Sequence, residues 1–152
     1  MVAALAGVPG GEWRYLGQLM IDCALCQLQS GDAPGRIICR DAFTFAFFPR
    51  EQGVRGHTVV APIAHVPAWT DLDQELVRNV FSAIQEVSRR LCARLSADSV
   101  NVLFAGGPAA QQSIAHFHVH ILPRWRSDTV DAWPRLPGYS DDAEADFRAL
   151  TA

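Results

Sequence analysis

The sequence predicts an α+β domain built on one five-stranded antiparallel sheet, with a single long helix after the third strand. Three observations carry this. Short apolar segments bounded by Pro, Gly and Asp occur on both sides of one long stretch of helical periodicity. The links between the first three strands are short, which suits hairpins rather than parallel crossovers. The chain has 152 residues, the size of one ordinary domain.

The elements follow in order. Residues 31–35, Gly-Asp-Ala-Pro-Gly, form a turn. Residues 36–39 and 44–48 read as a strand pair joined at Arg40-Asp41, and the polar segment 49–56, with two glycines, is a loop. Residues 57–61 make a third strand, stopped by Pro62. From 71 to 95 the period changes. Leu76, Val77, Val80, Phe81, Ile84, Val87, Leu91 and Leu95 keep helical spacing, and Asp71 and Asp73 offer N-caps. Residues 101–105 form a fourth strand, broken by Gly106-Gly107-Pro108. Residues 116–122 form a fifth, closed by Pro123, and Ser140 is placed to cap a short final helix.

Composition excludes several classes. Hydrophobic residues make up 49% and charged residues 19%, a globular balance rather than a disordered one. The net charge of −3 argues against a nucleic-acid partner, which calls for a basic stripe, but leaves room for a small anionic ligand in a local pocket. The longest apolar runs are too short and too interrupted for a membrane span. Met1 to Leu5 carries no basic residue and reads as a loose tail, so a cytoplasmic location is expected. Four cysteines are too few for a disulfide scaffold. Cys39 and Cys92 sit in apolar segments and read as buried small hydrophobes. Cys23 and Cys26 form a C-x-x-C unit, which suits a redox pair or half a metal site.

Three of the five histidines lie in His116-Phe117-His118-Val119-His120. On a strand, alternate side chains share a face, so His116, His118 and His120 line one face while Phe117, Val119 and Ile121 point into the core. Such a row can bind a metal, or it can place one nucleophilic imidazole between two proton-handling neighbours. The preceding residues favour an anionic ligand. Gly106-Gly107 exposes backbone N–H groups, and Gln111-Gln112-Ser113 adds neutral donors, a set suited to phosphate oxygens.

The segment from Gly107 to Arg124, with Gln112-Ser113 ahead of His116-Phe117-His118-Val119-His120, resembles the histidine-triad (HIT) signature. Upstream, Gly56-His57-Thr58-Val59-Val60-Ala61-Pro62 followed by His65-Val66 is similar to a second family segment, and Cys23-Ala24-Leu25-Cys26 resembles the start of many bacterial members. The resemblance covers residues 22–124. It implies an N-terminal extension over 1–21, a HIT domain over 22–124 and a C-terminal tail over 125–152 packing on that domain. It also implies a homodimer with a continuous sheet and a nucleotide substrate cleaved at the α-phosphorus.

By the same resemblance His118 is the nucleophile that carries a nucleotidyl intermediate. His120 contacts the phosphate, and His116 orients the site. Gln112, Ser113 and Gly107 hold phosphate oxygens or the leaving group, Phe47 lines the base pocket, and Asn101 joins the substrate-binding set. In zinc-bearing members the ligands fall at Cys23, Cys26, His65 and His116, and two thiolates with two imidazoles make a closed tetrahedral structural site. No organic cofactor is implied. His57 is expected to be structural or pocket-lining, with no obvious partner. Two positions depart from the family pattern: Pro49 stands where many members carry a ribose-binding Asp or Asn, and Ala105 where Hint-type members carry Asn.

Overall fold

The computed structural model describes residues 22–132 and 143–151. Helix α1 spans Ala24–Ser30 and ends at Gly31, whose φ of 89° places it in the left-handed region that glycine tolerates. Strands β1 (Arg36–Arg40), β2 (Thr44–Phe48) and β3 (Thr58–Pro62) precede helix α2 (Gln74–Leu95). Strands β4 (Ser99–Leu103) and β5 (Val119–Arg124) follow it, and helix α3 (Ala143–Thr151) comes last. The five strands form one sheet in the order β1-β2-β3-β5-β4, and every neighbouring pair is antiparallel.

The period of two along the strands divides the core into two layers. Ala46, Val60, Phe117, Val119 and Ile121 face α2, where they meet Val80, Ile84, Val87 and Leu91. Those four helical residues recur at steps of four, three and four, which keeps them on one stripe. The intervening strand residues Phe45, Phe47, Val59 and Ala61 face the other way and pack with Leu25, Leu28, Cys23 and Cys26 under α1. The even-numbered histidines therefore share the face that carries α1, opposite α2.

Several boundaries differ from the sequence reading. Helix α2 starts at Gln74 rather than at 71. Asp73 is its cap, accepting the Leu76 N–H at 2.7 Å, while Asp71 belongs to a separate 3-10 turn at Trp69–Asp71. Phe81, expected on the apolar stripe, is 48% exposed and sits beside Trp69. Strand β4 begins at Ser99 and ends at Leu103, because Asp98 already donates its N–H to the Arg124 carbonyl and Phe104 turns toward the Trp69 and Phe117 rings. Strand β5 begins at Val119, not at 116. The Phe117 N–H bonds to the Val66 carbonyl in the loop after β3, so residues 116–118 approach the sheet without joining its ladder. Pro62 is the last residue of β3, whereas Pro123 lies inside β5, one residue before its end. Cys39 and Cys92 are half-buried rather than buried, and the ladder shifts register between Ile37 and Cys39. Ser140 and residues 1–21 lie outside the described residues.

Candidate active site and metal centre

Four ligand atoms converge at the top of the histidine face. One donor atom each from Cys23, Cys26, His65 and His116 lies within 4.8 Å of the others. The Cys26 Sγ stands 3.4 Å from His65 Nδ1, and both sulfurs stand 3.5 Å from His116 Nδ1. Bond lengths of ~2.3 Å for Zn–S and ~2.0–2.1 Å for Zn–N put the S···N edge of a tetrahedron at about 3.5 Å. The donor set therefore fits a tetrahedral ion. The wider shell fits as well. His116 Nε2 donates to the Pro62 carbonyl at 2.9 Å, which leaves Nδ1 unprotonated and aimed at the thiols. His116 is fully buried, and that burial lowers its pKa to about 4, so the ring is a neutral ligand at pH 7. Burial, with the Cys23 thiol alongside, pushes the Cys26 thiol up to about 12. A divalent cation is what makes two buried thiolates tenable.

One alternation further, His118 takes a different partner. Its Nδ1 lies 2.8 Å from the His116 carbonyl oxygen. A carbonyl only accepts, so Nδ1 carries the proton and Nε2 keeps its lone pair. The side chain is 8% exposed. The row thus divides by role: His116 turns to the thiols, His118 presents a basic nitrogen, and the rings of His118 and His120 meet edge to face with centroids 5.1 Å apart.

His120 is anchored by a residue the sequence reading left without a partner. His57 Nε2 lies 2.8 Å from His120 Nδ1, and the Gly53 N–H donates to His57 Nδ1 at 3.4 Å. The amide can only donate, so the His57 proton sits on Nε2 and points at His120 Nδ1. His120 then holds its own proton on Nε2. Burial lowers the pKa of both rings, His120 to about 4. His57 stands just before β3 rather than on it, two residues from Val59, which pairs with His120 across the ladder. That adjacency brings the two rings together.

The substrate-binding set is only partly gathered. Gly107 adopts φ of 89° and donates its N–H to Gln112 Oε1 at 2.7 Å. The Gln112 amide nitrogen donates to the Pro67 and Ile114 carbonyls, both at 2.8 Å. Gln112 therefore ties the Gly107 turn to the loop after β3, and Ser113 beside it is exposed. Phe47 is 6% exposed and stacks on Phe45, with ring centroids 5.4 Å apart, inside the α1 layer. Asn101 accepts from Arg124 Nη1 at 2.5 Å. The roles of Gly53, Arg124 and Asp128 were missed from sequence. The available signal was an Arg followed four residues later by Asp, just past a strand end.

A model of the HIT domain matches residues 30–127. Protein hit of Bacillus subtilis (strain 168) is 31% identical over 104 residues, covering 68% of this chain and 72% of that protein. Adenylylsulfatase HINT3 of Arabidopsis thaliana is 28% identical over 122 residues, covering 80% of this chain and 62% of that one. A zinc-bound histidine triad family protein from Mycobacterium smegmatis has a TM-score of 0.71 against this chain at 32% identity, covering 78% and 86% of the two. The two cysteines lie ahead of the matched span. Within it fall the whole sheet, the long helix and the full histidine row, and the chain belongs to the HIT family.

Proposed function

We propose that the protein is a nucleotide hydrolase or transferase that cleaves at the α-phosphorus through a nucleotidyl intermediate on His118. One observation carries the reading: the Nδ1–H of His118 is held by the His116 carbonyl, which leaves Nε2 as a free nucleophile. Attack forms a P–Nε2 bond and breaks the bond from phosphorus to the leaving group, which departs with its electron pair and takes a proton. The ring becomes an imidazolium whose Nδ1–H the same carbonyl stabilises. Water then attacks phosphorus, the P–Nε2 bond breaks, the water's proton is lost to solvent, and neutral imidazole returns. The Nε2–H of His120 donates to a phosphoryl oxygen with Ser113, and Gln112 holds the loop that presents Ser113. The adenylylsulfatase relative supports a nucleoside phosphate as the substrate class.

The cation at Cys23, Cys26, His65 and His116 is zinc in this reading, and its role is structural. Four protein ligands leave no open position for chemistry. The fit of the donor set and the zinc-bound relative support this. The domain is assigned to residues 22–124, with 1–21 and 125–152 as extensions, and the location to the cytoplasm. No described helix is long and apolar enough to cross a membrane. A homodimer is proposed across the β4 edge, where Val102, Phe104 and the neighbouring Phe81 of α2 are 40%, 44% and 48% exposed. The test of the reading is turnover of an adenosine 5′-phosphoramidate and of a dinucleoside polyphosphate. The expected result is AMP release from at least one of them, lost in His118→Ala; release that persists in His118→Ala overturns it.

A further inference from the structure

Cys23 and Cys26 differ in what surrounds them. Cys23 immediately precedes α1, and Cys26 lies in its first turn, one helical turn on. Residues so spaced have Cα atoms about 5–6 Å apart, within the span that a disulfide bridges. Their sulfurs already share a partner, His116 Nδ1, at 3.5 Å from each. Cys26 is enclosed. Its Sγ also meets His65 Nδ1 at 3.4 Å, and Leu25 and Leu28 pack in the same layer. Cys23, though buried, borders a cleft of about 310 Å³ whose other walls include His65, Ser113 and Ile114. Cys26 does not line that cleft. A small molecule entering it therefore meets one sulfur of the pair first. The other two cysteines, Cys39 and Cys92, are half-buried and stand outside the cluster.

We propose that Cys23 is an oxidation site reached by a hydroperoxide through this cleft, and that Cys26 then closes on it in a disulfide that gives up the cation. The Cys23 thiolate attacks the terminal peroxide oxygen. An S–O bond forms and the O–O bond breaks. The leaving oxygen departs with its electron pair and takes a proton, as an alcohol, or as water from hydrogen peroxide. The Cys26 thiolate attacks the sulfur of the resulting sulfenic acid. The S–S bond forms, the S–O bond breaks, and hydroxide takes a proton to leave as water. The two thiolates have lost two electrons and the hydroperoxide has gained them. A cation of this kind is held by thiolates, so the disulfide leaves it only the imidazoles of His65 and His116. His65 lies on the loop after β3. That loop also carries the Val66 carbonyl, which accepts from the Phe117 N–H, and the Pro67 carbonyl, which accepts from Gln112. Release of the cation therefore unties α1 from the loop that borders the histidine row. The inference starts from the proposed metal site and owes nothing to the α-phosphorus chemistry.

Titration of the purified full chain with hydrogen peroxide tests this without turnover. Zinc release is followed with a chromogenic chelator, disulfides are mapped by mass spectrometry, and sulfenic acid is captured with dimedone. The expected result is one zinc released for each disulfide between Cys23 and Cys26, with zinc rebound after a dithiol reductant. In Cys26→Ser, dimedone should label Cys23; in Cys23→Ser, Cys26 should take about tenfold less label, because oxidation follows access. Either variant can lose the fold along with the metal. The same two peptides are therefore also compared in the unaltered protein oxidised in the presence of dimedone, where Cys23 should again carry the label. Ala24→Trp, which narrows the cleft next to Cys23, should keep its zinc and release it roughly fivefold more slowly on oxidation. Zinc absent before oxidant is added contradicts the metal reading alone, and the dimedone label still decides the oxidation site. Zinc retained while Cys39 or Cys92 is oxidised, label on Cys26 rather than on Cys23, or Ala24→Trp oxidised at its parent's rate overturns the proposal.

Discussion

His57 donates its Nε2 proton to Nδ1 of His120 across 2.8 Å, and the Gly53 amide fixes which nitrogen of His57 holds that proton. The second histidine of this pair is one whose remaining N–H faces the proposed phosphate. The orientation of that donor depends on a residue 63 positions away in sequence.

Removing the anchor should slow the chemistry more than it weakens binding. His57→Ala is expected to lower kcat roughly tenfold or more, the scale seen when an orienting partner of a functional histidine is lost. KM should move less than kcat. His57→Gln, which keeps an N–H donor, should retain more activity than His57→Ala. Steady-state kinetics on the three proteins checks this, and equal kcat in all of them would dissociate His57 from the proton position on His120.

The same pair makes stability depend on acidity. Burial lowers the His120 pKa to about 4 and lowers that of His57, against an unfolded value near 6.5. Between those limits the unfolded chain binds more protons than the folded one, so stability rises with pH. The contribution is complete above about pH 6.5 and is lost as pH falls toward 4. Thermal melting from pH 7.5 to 4 should show a falling midpoint, and the fall should shrink in a His57→Gln, His120→Gln double variant.

The thiol–imidazole cluster predicts one zinc per chain. Cys23→Ser with Cys26→Ser should remove the metal and lower stability by at least about 3 kcal/mol, a modest share of the roughly 10–16 kcal/mol apparent binding free energy of structural zinc in small peptides. In a domain of this size that is a midpoint loss of about 6–12 °C. Metal analysis and calorimetry on the same preparation check it, and unchanged melting would contradict the site.

Much of this was legible in the residues. The alternation along 116–121 put Phe117, Val119 and Ile121 in the core, and the helical spacing of Val80, Ile84, Val87 and Leu91 marked the buried stripe of α2. Cys23, Cys26, His65 and His116 could be assembled by analogy before their donor atoms were seen to meet. Other features depend on tertiary neighbours. Residues 116–118 read as strand because they alternate, but their backbone partners lie in the loop after β3. His57 looked solitary because its partner becomes adjacent only when β3 pairs with β5. Gln112 read as a phosphate ligand because its type suits one, whereas its amide bonds three backbone groups.

Local chemistry read correctly should have a local energy. Asp73 caps α2 through the Leu76 N–H. Asp73→Ala is expected to cost about 1 kcal/mol, or roughly 2–4 °C in the melting midpoint. Asp71→Ala should cost less, because Asp71 lies in the preceding 3-10 turn. Calorimetry of the two variants gives the comparison, and an equal loss in both would contradict the assignment of the cap.

The central claim is that His118 Nε2 becomes covalently bonded to phosphorus. Rapid-quench mass spectrometry of the protein mixed with an adenosine 5′-phosphoramidate, followed by peptide mapping, tests it most directly. One adenylyl group is expected on the peptide containing His118, formed before AMP accumulates and missing in His118→Ala. AMP released at full rate, with no adduct on His118 at any quench time and with undiminished release by His118→Ala, would contradict it.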